Sequence, residues 1–142
     1  MQRLLYCVAH TLTGRYAPER WVGKMNELEK SIIQFIVSSY PDDFKNTCIS
    51  ELTVSEREYT GSGVIVCFEQ RGNVVTSSKT ANFIGPLIES SVLELGAETV
   101  LSVKNGRFDS LDILVRGCGD IKAVSSYRLI DEDVNFVCDS SA

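Results

Sequence analysis

A chain of 142 residues, 44% hydrophobic and 23% charged, has the size and composition of one globular domain built on one core. It holds no apolar run near the roughly 20 residues that a membrane-crossing helix needs. Its net charge of −5 disfavours a nucleic-acid partner, because phosphate repels an acidic surface.

The charge is uneven. Residues 1–24 carry Arg3, Arg15, Arg20 and Lys24 against Glu19, a net +3 that leaves −8 on the rest of the chain. The apolar stretch Leu4 to Ala9 is short and runs into His10 with no small-x-small cleavage site, so it does not read as a signal peptide. Gly14, Pro18 and Gly23 interrupt any regular period. The expectation is a loosely ordered basic arm over 1–24, one domain over 25–138, and a frayed end at 139–142.

The first periodic element starts at Met25. Met25, Leu28, Ile32, Phe35, Ile36 and Tyr40 recur at helical spacing, with Glu27, Glu29, Lys30 and Gln34 assigned to the opposite side. Glu27 and Glu29 suit the dipole of a first turn, and Pro41 ends the helix. After a connector over 42–50, strands are expected near 49–59 and 63–70, the second apolar enough to be central. Another is expected near 73–77, and "IGPLIESSVLELGAE" reads as a loop with short strand pieces around Gly85 and Pro86. The strongest local signal is Asn105-Gly106 between two β-rich runs, 98–105 and 107–116, a type I′ hairpin that pairs Val103 with Phe108. The apolar phase slips after Phe108, which calls for a bulge near Asp109 and Ser110. A last strand is expected near 126–131.

Gly61-Ser62-Gly63 is the one stretch that resembles chemistry. It lacks the lysine and spacing of a phosphate loop and has no helix after it, as a dinucleotide loop or a nucleophile elbow requires. It reads as a turn between strands. His10 is the only histidine and lies in the arm, so no Ser-His or Cys-His pair can be named. Cys7, Cys48, Cys67, Cys118 and Cys138 are odd in number and contain no C-x-x-C, which fits free thiols in a reducing cytosol better than disulfides or zinc. Gly117-Cys118-Gly119 could expose a thiol, reactive only in an electropositive setting. No cofactor or metal is expected. The candidate partner-binding residues are the carboxylates Asp109 and Asp112 on the hairpin and the run Asp131, Glu132 and Asp133.

Taken in order, "MNELEKSIIQFIVSSYPD", "LTVSEREYTGSGVIVCF", "VKNGRFDSLDILVRG" and "YRLI" resemble a family of small, uncharacterised bacterial cytoplasmic proteins. The resemblance rests on Arg57, Glu58, Tyr59, Thr60, Gly61 and Gly63, and on Asn105, Gly106, Arg107, Phe108 and Leu111. Leu111-Asp112-Ile113-Leu114 stands where such proteins usually read L-E-G-Y, and the Trp-Pro that often follows is absent. The family's style implies an immunity-type protein of a bacterial toxin system, without enzymatic activity.

The expected fold is α+β, an N-terminal amphipathic helix packed on a mostly antiparallel sheet of five to six strands. The expected function is a non-enzymatic, cytoplasmic binding protein that neutralises a basic toxin domain. The alternative is a small-molecule-binding or enzymatic domain with a pocket between helix 25–40 and the sheet, near Tyr59 and Arg57, where Arg57, Glu58 and Asp112 converge. A third reading is an oligomeric module paired through an open strand edge.

Overall fold

The computed structural model describes residues 23–45, 47, 49–69 and 80–131. Helix α1 spans Glu27–Ser39. Asn26 starts it with a reciprocal capping box: its side chain accepts from the Glu29 N–H at 2.8 Å, and its own N–H reaches Glu29 Oε1 at 2.9 Å. The helix closes at Tyr40, whose N–H bonds the Ile36 carbonyl at 3.1 Å ahead of Pro41. Its buried stripe is Leu28, Ile32, Ile33 and Ile36. Ile33 is fully enclosed, whereas Phe35 and Tyr40, expected on this stripe, are partly exposed. Glu29 corrects the sequence reading more sharply: instead of facing solvent, it is 1% exposed. Residues before 23, which bear on the helix being the chain's first element and on the basic arm, lie outside the described residues.

Among the described residues seven strands follow, against the five to six expected: β1 Thr53–Tyr59, β2 Gly63–Glu69, β3 Ala81–Ile84, β4 Leu87–Glu89, β5 Ala97–Lys104, β6 Arg107–Val115 and β7 Arg128–Ile130. They form one sheet in the order β1-β2-β6-β5-β4-β7, with β3 sharing the edge of β5, and every described pairing is antiparallel. The architecture is α+β, as expected. The first strand begins at Thr53, because Ile49–Glu51 is a 3-10 turn. The loop with short strand pieces expected around Gly85 and Pro86 resolves into β3 and β4 on either side of that pair, and the buried Thr99 hydroxyl donates to the Pro86 carbonyl at 2.7 Å. The strand expected at 73–77 lies outside the described residues.

The β5–β6 hairpin turns on Asn105 (φ 52°) and Gly106 (φ 75°), both left-handed as a type I′ turn demands. Val103 pairs with Phe108 and Ser102 with Ser110, so Asp109 is the extra residue of a bulge, where the phase slip placed it. The bulge returns Leu111 and Ile113 to the face that holds Val103 and Phe108. Alanine at position 105 must hold the same positive φ without asparagine's tolerance of it. Asn105→Ala is therefore expected to lower stability by about 1 kcal/mol in urea denaturation, while Asn105→Gly retains the turn.

The core lies on one face of the sheet, beneath α1. Ile32, Ile33 and Ile36 meet Val66, Leu101 and Leu111, all fully enclosed. Phe44, from the connector after α1, closes one end against Phe83 and Phe108, with ring centroids 4.9 and 5.7 Å away. Strand alternation fixes what remains for the opposite face: Glu56, Glu58, Ile65, Cys67, Ser110, Asp112, Leu114, Val100 and Ile84. None of the apolar residues in that set belongs to the core cluster or packs against it.

Candidate functional site

The Gly61-Ser62-Gly63 segment is a turn from β1 to β2. The Thr60 N–H bonds the Gly63 carbonyl at 3.0 Å, and the Ser62 N–H bonds the Thr60 hydroxyl at 3.3 Å. The Ser62 carbonyl accepts from the Val115 N–H at 2.7 Å, which ties the turn to β6. Its hydrogen-bonding groups thus serve the sheet.

One residue before Tyr59, alternation sends Glu58 outward; one residue earlier still, Arg57 points beneath α1. Its guanidinium grips Glu29 through Nε–Oε2 at 2.7 Å and Nη2–Oε1 at 2.8 Å, and Nη2 also donates to the Lys24 carbonyl. Both side chains are almost fully enclosed, 5% and 2% exposed. The hydrogen bonds that Arg57 donates to Glu29 raise the Arg57 pKa, opposed in part by burial. Glu29 also completes the capping box, so both its oxygens are occupied with structural tasks. This pair joins helix to sheet and leaves neither group free to act as an acid or base.

Next to it, between the start of α1, the end of β1 and residues 121–127, lies an open hollow of about 440 Å³. Asn26, Glu27, Glu29, Tyr59, Lys122, Ser125 and Tyr127 form its polar and aromatic lining. The 3-10 turn Ile121–Ala123 supplies one wall: Asp120 caps it by accepting from the Lys122 N–H at 2.9 Å, and buried Ile121 pins it to the core. Lys122 Nζ rests 4.4 Å from the centroid of the Tyr59 ring. Tyr127 is held by a 2.9 Å hydrogen bond with the Ser31 hydroxyl. Burial raises the Tyr59 pKa, with Arg57 opposing, which keeps the phenol neutral. The hollow lies where the sequence placed a pocket, but Arg57, Glu58 and Asp112 do not converge on it: Glu58 and Asp112 occupy the opposite face of the sheet.

The five carboxylates named from sequence do not form one patch. Asp109 is the bulge residue and sits 3.6 Å from Lys104 Nζ. Asp112 is exposed on the outer face of β6. Asp131 follows β7 and borders a recess with Ser39, Tyr40 and Ile84, near the end of α1. Glu132 and Asp133 lie outside the described residues, as do His10, Cys7, Cys48 and Cys138. Cys118 is exposed, and the neighbouring Arg116 is paired with Glu98 at 2.9 Å.

The outer face has a pattern of its own. One cross-strand row reads Glu58, Ile65, Asp112, Val100, Ile84, across β1, β2, β6, β5 and β3. At strand spacing it spans roughly 19 Å. The row beside it reads Glu56, Cys67, Ser110, Ser102, Asn82. Ile84 is 60% and Leu114 52% exposed, and no described helix or turn packs on this side. Glu56 Oε1 is buried yet has no hydrogen-bond partner, an acceptor left unmet.

Among the described residues no group of three or more His, Cys, Asp or Glu side chains is placed to hold a metal ion, and no helix is long and apolar enough to cross a membrane. Comparison of the chain with protein-family models, with curated proteins and with solved structures found no match.

Proposed function

We propose that this chain is a non-catalytic binding protein that receives a basic partner on the outer face of its sheet. The observation that carries the reading is the row Glu58, Ile65, Asp112, Val100, Ile84, in which apolar side chains, Ile84 exposed and Ile65 and Val100 half-buried, alternate with carboxylates on a face that no described helix or turn covers. A stable interface wants an apolar centre with charge at its margin. The net −8 carried by residues 25–142 steers a cationic protein towards the surface and opposes stacking of a second acidic copy on it. The resemblance noted above supports reading it as an immunity-type protein whose partner is a basic toxin domain met in the cytoplasm. Within that reading Asp112 is an interface residue, and Asp109, Asp131, Glu132 and Asp133 contribute to the long-range field.

The test is binding to the product of the adjacent gene at low and high salt. A complex is expected at low salt, forming more slowly as salt rises. The triple variant Glu56→Lys, Glu58→Lys, Asp112→Lys is expected to associate at least about tenfold more slowly, with the gap narrowing at high salt. No complex at low salt, or a triple variant that binds as the wild type does, contradicts the proposal.

A further inference from the structure

The hollow beside Tyr59 plays no part in the outer face, and its lining has a chemistry of its own. The Tyr59 ring already carries a cation: Lys122 Nζ lies 4.4 Å from its centroid, well inside the roughly 6 Å over which a ring face attracts an ammonium. That ammonium is lightly held. Lys122 is exposed, and no ion pair of its side chain occurs among the described residues. Tyr127 supplies a second ring to the lining, anchored through Ser31. Acceptors complete the lining: the Glu27 carboxylate, 87% exposed and, among the described residues, paired only with Lys30 at 3.8 Å, and the Ser125 hydroxyl. The strongest cation nearby, Arg57, is sequestered by Glu29 and does not line the space. A volume of about 440 Å³ admits a group the size of an arginine or lysine side chain.

We propose that this hollow is a seat for an organic cation, an alkylguanidinium or alkylammonium group, and that Lys122 is its built-in competitor. Entry of the ligand displaces the Lys122 ammonium from the ring of Tyr59. The ligand's cation then lies over Tyr59, with Tyr127 beside it and the Glu27 carboxylate balancing its charge. A flat guanidinium stacks on a ring more readily than an ammonium, so arginine-like ligands bind more tightly than lysine-like ones.

The experiment follows the Tyr59 and Tyr127 ring resonances of the full chain by NMR during titration with N-acetylarginine amide. N-acetylglutamine amide and inorganic phosphate are the controls. Saturable shifts at both rings are expected with the arginine compound alone. Lys122→Gln, an exposed change that leaves the fold intact, is expected to bind about threefold to tenfold more tightly, because the competitor is gone. Tyr59→Leu is expected to abolish binding. A Gly-Arg-Gly peptide that binds more tightly than the free amide identifies the source as a protein side chain; the reverse order identifies a free metabolite. Absence of saturable shifts, shifts with phosphate, or weaker binding by Lys122→Gln overturns the proposal. None of these side chains lies on the outer face of the sheet, so that result leaves the binding of a partner there unaffected, and loss of that partner leaves this titration unaffected.

Discussion

Arg57→Met is expected to lower stability by about 3–5 kcal/mol, measured as the shift of the urea unfolding midpoint at constant slope. The loss does not come from the attraction between two charges, which desolvation largely offsets. It comes from leaving the Glu29 carboxylate enclosed at 1% exposure with its guanidinium gone. The double variant Glu29→Gln, Arg57→Met separates the two causes. Glutamine removes the stranded charge and can still accept from the Asn26 N–H, so the capping box survives. The double variant is therefore expected to recover at least about 1–2 kcal/mol of the single variant's loss. If the two losses simply add, Arg57 acts by packing alone. The pH dependence has a definite sign. Arg57 is a cation whose pKa is raised in the folded state, so its contribution is complete below the unfolded value and fades only as pH climbs past it. That range lies above neutrality, and the contribution of Arg57 is expected to be flat across the neutral range.

Gly63→Ala is expected to cost about 3 kcal/mol or more, the second large effect. A Cβ at this position would stand 1.9 Å from the Ile113 carbonyl oxygen and 3.2 Å from the Leu114 Cα. Both obstacles are backbone of the paired strand β6, so no rotamer change can relieve them. The φ of 151° adds strain for any side chain. Relief requires β2 and β6 to separate, and this pairing is central to the sheet. Gly61→Ala is the internal control. Its φ of 85° is unfavourable, but a Cβ there meets nothing within 4 Å, so a loss of only about 1–2 kcal/mol is expected. Thermal or urea unfolding of the two variants reads the contrast directly. A milder effect at 63 than at 61 contradicts close strand approach as the reason for the second glycine. The Gly-Ser-Gly stretch thus has different physical causes at its two ends: a reversal of direction at 61 and lack of room at 63.

What sequence could show followed from how local each cause was. The helix was legible because Leu28, Ile32 and Ile36 repeat at its period, and the Asn105-Gly106 hairpin because the turn chemistry lies in two adjacent residues. The bulge at Asp109 was legible as a slip of apolar phase, which is also local. β3 was not, and β4 showed only as a short strand piece in an expected loop, since strands of four and three residues beside a proline are defined by their pairing with β5 rather than by any pattern of their own. Glu29 was misplaced because an acidic residue in a first turn suits the helix dipole equally well when exposed. Its partner Arg57 lies 28 residues away, although the Asn26-x-x-Glu29 spacing was a readable sign of a capping box.

The site divides in the same way. Tyr59 was singled out, but the opposite wall at Lys122 and Tyr127 comes from a segment with no pattern that names its neighbours. The acidic run at 131–133 drew attention by adjacency along the chain. The row of Glu58, Ile65, Asp112 and Val100 is adjacent only across strands, and it becomes visible once register is fixed.

The most direct measurement is a methyl NMR footprint of the full chain bound to the adjacent gene's product. The account expects the methyl signals of Ile65, Val100, Ile84 and Leu114 to change on binding, while those of Ile32, Ile36 and Leu101 beneath α1 stay fixed. A footprint on α1 or around the Tyr59 hollow, with those four outer-face residues unperturbed, contradicts it.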